Sequence, residues 1–338
     1  RIAFLTQAVK MRPDDVNARK MLAHLYQDAG KTGEAIAQYR AVLSRAPEDR
    51  HVLEELTKLY EQTRRYEDAL NIYRTLIGLD SNDPSAYAGI ARIYELQENW
   101  SRAAANYEAS LRLDPKVPAT RYRLGEIYEK LGEKEKALEA YQAVFETMPG
   151  NDALAGILAE LYLQLSRYEE AIEHYRIFIR KNPSNAAAYA NIALAYAEMG
   201  ESPREIANLE KAFSLEPRNH VIAFNLAVAY DKGGRPDDAA KIYRQVLELK
   251  PDDADALSRL ASYYFGRKNY KQAVEYYKKV VARAPRNAAA YSALAVAYQE
   301  LKDLPNAAAS YEKAIQLGKK EAELYYNLAV IYDRLDRE

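Results

Sequence analysis

Residues 118–151 read PATRYRLGEIYEKLGEKEKALEAYQAVFETMPGN, and the rest of the chain repeats this pattern every 34 residues without insertion or deletion. Proline marks the period, because it stands at the same place in successive repeats, with one internal gap at Ser81. The prolines are Pro13, Pro47, Pro115, Pro149, Pro183, Pro217, Pro251 and Pro285. Self-similarity at a period of about 20 to 50 residues indicates a repeat array. The 338 residues are therefore predicted to form one array, not the two or three domains that their number alone suggests.

Each repeat is predicted to contain two helices, helix A followed by helix B. A tyrosine lies eleven residues into every repeat, with Leu or Ile four residues before it, so that both share one face of helix A. A second stripe of alanine, an aromatic residue and an apolar residue, such as Ala69, Tyr73 and Leu76, defines helix B. Helices of about 14 residues are unstable alone, so the repeats must stabilise one another by stacking.

An Asp or Asn two residues after these proline positions, or after Ser81, is predicted to cap helix A, because its side chain can accept hydrogen bonds from the first free amides. These caps are Asp15, Asp49, Asp83, Asn151, Asn185, Asn219, Asp253 and Asn287.

The pattern resembles the tetratricopeptide repeat (TPR), whose unit carries Leu-Gly-x2-Tyr, then a small residue, an aromatic residue and proline. In the quoted repeat the matching residues are Leu124, Gly125, Tyr128, Ala137, Tyr141 and Pro149. The resemblance covers the whole chain: residues 1–15 as a helix B, 16–321 as nine full repeats, and 322–338 as a helix A. It implies an all-α, right-handed superhelical solenoid of antiparallel helix pairs, with about 20 helices and with helix A lining the concave surface.

Composition excludes several classes of function. Lys+Arg 48 against Asp+Glu 49 leaves a net charge of −1, so nothing predicts electrostatic capture by nucleic acid or an anionic membrane. The chain has no cysteine, which removes disulfides, thiolate metal sites and a cysteine nucleophile. No signal peptide or membrane span is visible, so the chain is expected to be soluble, in cytoplasm or periplasm, and its start at Arg1 suggests a fragment.

No motif for catalysis is present, and the protein is predicted not to be an enzyme and to need no cofactor. Phosphate-binding loops, zinc-hydrolase and serine-elbow motifs are missing from the sequence. The four histidines, His24, His51, His174 and His220, have no second ligand three or four residues away, so ordinary surface or hydrogen-bonded histidines are the expectation.

Eighteen of the 29 tyrosines occupy repeat positions and are predicted to be core residues, each hydroxyl finding a partner at the edge of the stack. They are the ten in helix A (Tyr26, Tyr60, Tyr94, Tyr128, Tyr162, Tyr196, Tyr230, Tyr264, Tyr298, Tyr332) and Tyr39, Tyr73, Tyr107, Tyr141, Tyr175, Tyr243, Tyr277 and Tyr311 in helix B.

The concave face is predicted from positions 2, 5, 9 and 12 of helix A. These positions are charged in the first four repeats and become small and apolar from residue 186 onward. Exposed apolar surface usually marks an interaction site, and asparagine at position 6 can pair with the backbone of an extended peptide. The predicted partner-binding residues are Asn191, Leu194, Phe224, Asn225, Val228, Phe265, Val296, Tyr326 and Asn327. Coverage of Leu194, Val228 and Val296 by neighbouring helices is the alternative.

Helix B of repeat 186–219 departs from the pattern, because Glu205 replaces the small alanine, Leu209 the aromatic, and Pro203 enters the first turn. A glutamate at a close helix crossing must turn outward or separate the helices, unless Ile206 or Ala207 takes over the contact. A functional bend and simple drift remain open.

The leading hypothesis is a noncatalytic scaffold that binds an extended peptide of a partner protein. Two alternatives stay open. Both ends fall within a repeat, where Ile2, Leu5 and Val9, and Leu328 and Ile331 at the other end, are expected to have nothing stacked on them, which favours self-association into dimers or filaments. The second alternative is that the chain is the substrate-presenting arm of a larger enzyme such as a glycosyltransferase. The flanking sequence would decide this.

Overall fold

The computed structural model describes residues 1–336, which form twenty α-helices and no β-strand. The helices are α1 (Ile2–Met11), α2 (Val16–Asp28), α3 (Thr32–Leu43), α4 (Arg50–Gln62), α5 (Tyr66–Leu79), α6 (Pro84–Leu96), α7 (Trp100–Leu113), α8 (Pro118–Leu131), α9 (Lys134–Thr147), α10 (Asp152–Gln164), α11 (Tyr168–Lys181), α12 (Ala186–Glu198), α13 (Ser202–Leu215), α14 (His220–Lys232), α15 (Pro236–Leu249), α16 (Ala254–Gly266), α17 (Tyr270–Arg283), α18 (Ala288–Glu300), α19 (Leu304–Gln316) and α20 (Ala322–Leu335). Even-numbered helices are helix A and odd-numbered helices are helix B. The final partial repeat predicted over 322–338 extends two residues beyond the described part.

Consecutive helices pack as antiparallel pairs, which confirms the predicted all-α repeat architecture. The chain divides into two compact units, an N-terminal unit of Arg1–Leu161 and a C-terminal unit that begins at Tyr162.

All eight predicted caps accept a backbone hydrogen bond in the first turn of helix A. Asp15 Oδ1 accepts from the Ala18 amide at 2.9 Å, and Asn185 Oδ1 accepts from the Ala188 amide at 2.9 Å. The remaining caps make the same contact. In these eight repeats the side chain two residues past the proline position therefore sets where helix A begins, whereas α8 begins after Val117 without a side-chain cap.

Buried residues follow the two predicted stripes. The eight helix-B tyrosines are all buried, and Tyr39, Tyr141, Tyr243 and Tyr311 are almost fully so. Helix-A tyrosines are more variable: Tyr60, Tyr128, Tyr162, Tyr196 and Tyr230 are buried, and Tyr26, Tyr94, Tyr264 and Tyr298 are half-buried against core clusters. Tyr332 is 42% exposed, so the prediction that it is a core residue is wrong.

The turn between helix A and helix B requires a left-handed backbone at its second residue. Glycine supplies this at Gly30, Gly132, Gly200 and Gly234, with φ between 70° and 75°. At the same place Arg64, Glu98, Ser166, Lys268 and Lys302 also have positive φ, between 56° and 61°. These five side chains adopt a conformation that favours glycine, which costs each turn some stability.

Two predictions need correction, one about the apolar stripes of the first and last helices and one about Glu205. Ile2, Leu5 and Val9 are not bare, because they pack against Leu22 and neighbours on α2. At the other end, Ile331 is buried and Leu328 is half-buried against the cluster around Tyr311. Helix α20 thus uses its apolar stripe on α19.

Glu205 neither turns outward nor separates the helices. It is 7% exposed, whereas the corresponding alanines Ala171 and Ala239 are fully buried, and α13 is 14 residues long like other B helices. Burial raises the pKa of the Glu205 carboxyl above its ordinary value, and Lys232 opposes this only in part. Ala207 is exposed and Ile206 is buried, so only Ile206 supplies the contact.

Candidate partner-binding surface on the A helices

The candidate surface is built from the solvent-facing positions of successive A helices, and each unit presents its own part of it. Helix-B tyrosines form its floor, because their rings lie beneath the A helices and their hydroxyls reach the surface edge. In the N-terminal unit, the hydroxyl meets a side chain twelve residues earlier, at position 12 of helix A. The pairs are Tyr73 with Glu61 at 2.7 Å, Tyr107 with Glu95 at 2.8 Å, Tyr141 with Glu129 at 2.6 Å and Tyr39 with Gln27 at 3.3 Å.

This row of hydrogen bonds accounts for the carboxylates that the sequence places at position 12 of the first repeats. Each carboxylate accepts a hydrogen bond from a buried phenol, and burial and then the carboxylate raise the pKa of Tyr73, Tyr107 and Tyr141 above the ordinary tyrosine value. Arg92 joins the pair of Tyr73 and Glu61, since its Nη2 lies 2.7 Å and 2.8 Å from the two Glu61 carboxylate oxygens and 3.2 Å from the Tyr73 hydroxyl. These position-12 charges are engaged within the fold.

Glycine lets two of the rings lie against helix A. A Cβ atom at Gly89 would overlap the ring of Tyr73, and one at Gly125 would lie 2.8 Å from Cε1 of Tyr141. At Gly89 the missing side chain also opens a cavity of about 470 Å³ between α4 and α6. Charged residues line this cavity, among them Glu54, Lys58 and Arg92.

A second cavity, of about 730 Å³, lies between α8 and α10 and is largely apolar. Tyr122, Val144, Met148, Leu154 and Ile157 line it, and Arg123, Glu126 and Asn151 stand at its rim. The Tyr122 ring packs edge-on against Tyr141, with ring centroids 5.2 Å apart. Sequence reasoning missed this cavity because it treated the first half of the A-helix face as uniformly polar. Tyr122 at position 5 and Ile157 at position 6 were the available signals.

In the C-terminal unit, four of the six predicted apolar residues are half-buried. Phe224 and Val228 pack against the cluster around Leu226 and Tyr243, with the Phe224 and Tyr243 ring centroids 5.7 Å apart. Phe265 and Val296 pack against neighbouring clusters in the same way. Leu194 is 48% exposed and Tyr326 is 69% exposed. Four of these residues therefore take part in helix packing, whereas Leu194 and Tyr326 stay exposed.

Leu194 has an exposed apolar neighbour by repeat symmetry. It holds position 9 of α12, and Val221, 54% exposed, holds position 2 of α14. In the N-terminal unit the equivalent positions are held by His24 and His51, whose Nε2 atoms lie 3.4 Å apart. Leu194 and Val221 are thus two exposed apolar residues on successive A helices, at the positions equivalent to those of His24 and His51.

The three predicted asparagines divide in two groups. Asn191 Nδ2 donates to the Tyr175 hydroxyl at 2.8 Å, and Asn327 Nδ2 donates to the Tyr311 hydroxyl at 3.3 Å. Asn225 is exposed, and the helix-B residue that would face it is Leu209 in place of tyrosine. Its carboxamide makes no hydrogen bond to the described residues, so all its donors and its acceptor are available to a partner.

No helix within residues 1–336 is long and apolar enough to cross a membrane. The same residues contain no group of three or more His, Asp or Glu side chains arranged to hold a metal ion.

Antiparallel helix pairs that recur every 34 residues define a repeat protein of the TPR class. Residues 20–84 match the tetratricopeptide repeat family, and residues 95–326 match the family described as the cilia and flagella-associated protein 70 C-terminal domain. The chain therefore belongs to the TPR family described as the cilia and flagella-associated protein 70 C-terminal domain, whose match covers more than half of its length.

Solved structures of other proteins resemble the chain, and the first of those described next agrees with it in fold. The C-terminal part of a TPR repeat-containing protein from Cytophaga hutchinsonii is 19% identical, with 71% of this chain and 98% of that chain covered and a TM-score of 0.55. MamA is 25% identical over 49% of this chain and 96% of that chain, with a TM-score of 0.45. A tetratricopeptide repeat protein from Parabacteroides merdae is 18% identical over 74% and 99%, with a TM-score of 0.46. No curated protein gives a significant match.

Proposed function

We propose that this TPR protein is a noncatalytic scaffold that binds an extended segment of a partner protein on the A helices of its C-terminal unit, between Leu194 and Val330. The observation that carries the proposal is the exposure of Leu194 and Val221, 48% and 54%, on two A helices whose other apolar residues larger than alanine are buried or half-buried. Contiguous exposed apolar side chains on a folded surface are typical of interaction sites.

Asn225 supports an extended peptide as the ligand. It lies one turn after Val221 on α14, is exposed, and has donor and acceptor atoms without a partner among the described residues. A carboxamide in that state can hydrogen-bond both groups of a peptide unit, while Leu194 and Val221 contact an apolar side chain beside it. The partner's segment is then expected to carry an apolar residue next to an unpaired backbone amide.

The α8–α10 cavity of the N-terminal unit is proposed as a second attachment point for an apolar side chain. Its volume of about 730 Å³ and its lining by Tyr122, Met148 and Ile157 suit a large aliphatic or aromatic group. Membership in the cilia and flagella-associated protein 70 C-terminal domain family supports a ciliary or flagellar component as one class of partner.

The test uses a displayed library of random peptides selected on the whole chain, followed by affinity measurements on the enriched sequences. Asp at both Leu194 and Val221 should weaken binding of peptides selected at this surface by at least about tenfold, because two apolar contacts of about 1.5 kcal/mol or more are replaced by charges. The double variant should remain folded, since neither side chain is part of a core cluster.

Leu96→Asp is the matched control, because Leu96 is 54% exposed at the end of α6 and lies outside the proposed surface. Equal affinity of the double variant, the control and the unaltered chain for every selected peptide would refute the site. Phe224→Asp is a poor test, since Phe224 packs against Tyr243 and the substitution would disturb the fold. Ala119→Phe, which should fill the second cavity, tests that attachment point separately.

A further inference from the structure

Two of the four histidines, 27 residues apart in sequence, meet on the A-helix face of the N-terminal unit. His24 lies on α2 and His51 is the second residue of α4. Their Nε2 atoms are 3.4 Å apart and their ring centroids 5.5 Å apart. His51 is exposed and His24 is half-exposed, so both nitrogen atoms can be reached from solvent.

The hydrogen-bond network behind His24 fixes its tautomer. His24 Nδ1 lies 3.1 Å from the Tyr39 hydroxyl oxygen, which itself donates to Gln27 Oε1 at 3.3 Å. The hydroxyl has one proton, and once it is given to Gln27 the oxygen can only accept from His24. In this arrangement Nδ1 carries the hydrogen of the neutral ring, and Nε2 presents its lone pair.

The network continues to a charged anchor, which holds Gln27 in this orientation. Gln27 Nε2 donates to Glu55 Oε2 at 3.2 Å, and Lys58 Nζ lies 2.6 Å from Glu55 Oε1. Because the Gln27 amide donates to Glu55, its oxygen is turned toward Tyr39. A histidine whose second ring nitrogen donates to a fixed acceptor is the arrangement that orients metal-binding imidazoles.

The separation of the two Nε2 atoms matches the geometry of a shared metal ion. Two imidazole nitrogens at about 2.05 Å from a tetrahedral zinc ion are about 3.3 Å apart. An octahedral ion with the same bonds would bring them to about 2.9 Å. The observed 3.4 Å is therefore close to the separation that tetrahedral coordination requires.

The surroundings tolerate a cation. Asp49 and Glu55 both interact electrostatically with the His51 ring. The two nearest lysines are already paired, Lys20 with Asp49 and Lys58 with Glu55. A metal ion at the histidines would not face an unpaired positive charge from either lysine.

We propose that His24 and His51 bind one Zn²⁺-class divalent cation through their Nε2 atoms, with Tyr39 as the positioning residue and with two coordination positions open to water. This site is additional to the peptide-binding surface of the C-terminal unit. Two protein ligands give a weaker site than a closed structural zinc site, and the open positions leave the ion accessible.

The experiment titrates the whole chain with Zn²⁺ alone by calorimetry, at about pH 7.5, and repeats the titration with Co²⁺ by visible absorption. We expect one Zn²⁺ per chain and the intense visible bands of tetrahedral Co²⁺. His24→Asn and His51→Asn should each weaken binding by at least about tenfold. Tyr39→Phe should keep the ligands and weaken binding by about tenfold, through loss of the acceptor that orients His24.

His174→Asn and His220→Asn are the matched controls, because they remove the other two histidines and should leave the Zn²⁺ affinity unchanged. Circular dichroism of every variant checks that α2 and α4 stay folded. Zn²⁺ affinity equal in all five variants and the unaltered chain, or Co²⁺ bands of octahedral type only, would overturn the proposal. Absence of binding by the unaltered chain at millimolar Zn²⁺ would also overturn it.

Discussion

Gly89→Ala is expected to destabilise the protein although alanine is the better helix former. Gly89 lies inside α6, where alanine would ordinarily stabilise the helix by about 1 kcal/mol. The new Cβ atom, however, would overlap Cζ, Cε1 and the hydroxyl oxygen of Tyr73, a buried ring held by Glu61 and Arg92. The ring must therefore move.

The magnitude follows from what that movement breaks. Loss of the hydrogen bond from the phenol to the Glu61 carboxylate costs about 1.5 to 3 kcal/mol, and overpacking of the crossing costs about 1 to 3 kcal/mol. Subtracting the gain of about 1 kcal/mol in helix propensity leaves a net loss of about 2 kcal/mol or more. Gly78→Ala, in α5, is the matched control, because nothing lies within 4 Å of the added Cβ. It should stabilise the helix by up to about 0.5 kcal/mol.

Urea unfolding followed by Trp100 fluorescence measures the effect locally. Trp100 is the only tryptophan and begins α7, the partner helix of α6 in the same repeat. A repeat array need not unfold in one step, so a probe inside the altered repeat is more informative than a global signal. An unfolding midpoint for Gly89→Ala at or above that of Gly78→Ala would refute the reasoning. The loss should disappear when Tyr73 is also replaced by alanine, and a loss that persists there would assign the effect to something other than the ring.

Three further outcomes are expected. Glu205→Ala should raise the free energy of unfolding by about 1 to 2 kcal/mol in urea unfolding at pH 7, because it removes a buried carboxylate from a place where other repeats carry alanine. Since the folded-state pKa of Glu205 is raised, its contribution becomes less unfavourable as pH falls from 7 toward 5, so the gain should shrink over that range. Lys268→Gly should stabilise by about 0.5 to 1 kcal/mol in the same assay, since φ is 59° there, whereas Lys271→Gly inside α17 should destabilise. Burial raises the pKa of Tyr39 and of Tyr230 to about 12, so the folded state keeps protons that the unfolded chain loses near pH 10, and circular dichroism should show stability falling above pH 10 and not below it.

The fold could be predicted from the sequence because its determinants are local and repeated ten times. Asp or Asn at the start of eight A helices, the i, i+4 stripe of leucine and tyrosine, and the alanine of helix B each act within one repeat or between neighbours. Because the pattern is local, Glu205 could be recognised in the sequence as an exception, but the burial of its side chain could not be predicted. Whether a carboxylate at a helix crossing turns outward depends on side-chain packing that a periodic pattern does not contain.

The candidate surface was predictable only in part, because exposure at a given position depends on the side chains packed around it. Leu194 and Val228 share position 9 and are both aliphatic, yet Leu194 is exposed and Val228 is half-buried beside Phe224 and Tyr243. Asn191 and Asn225 share position 6, yet only Asn191 has a tyrosine hydroxyl to bind. Sequence position assigns a residue to the face, and the neighbouring helix B decides whether it is free to act.

Position 9 of one A helix and position 2 of the next supply residues of both proposed binding sites. The scaffold sets the same spatial relation in each repeat, and the two residues that occupy it decide the chemistry. In the N-terminal unit the pair is His24 and His51, with Nε2 atoms 3.4 Å apart, whereas in the C-terminal unit it is Leu194 and Val221, both exposed. The histidine pair was missed because metal motifs are read at spacings of three or four residues within one helix, and these ligands are 27 residues apart on two helices. In an array with a constant period, a ligand search must use the spacing between repeats, since that spacing determines which side chains meet.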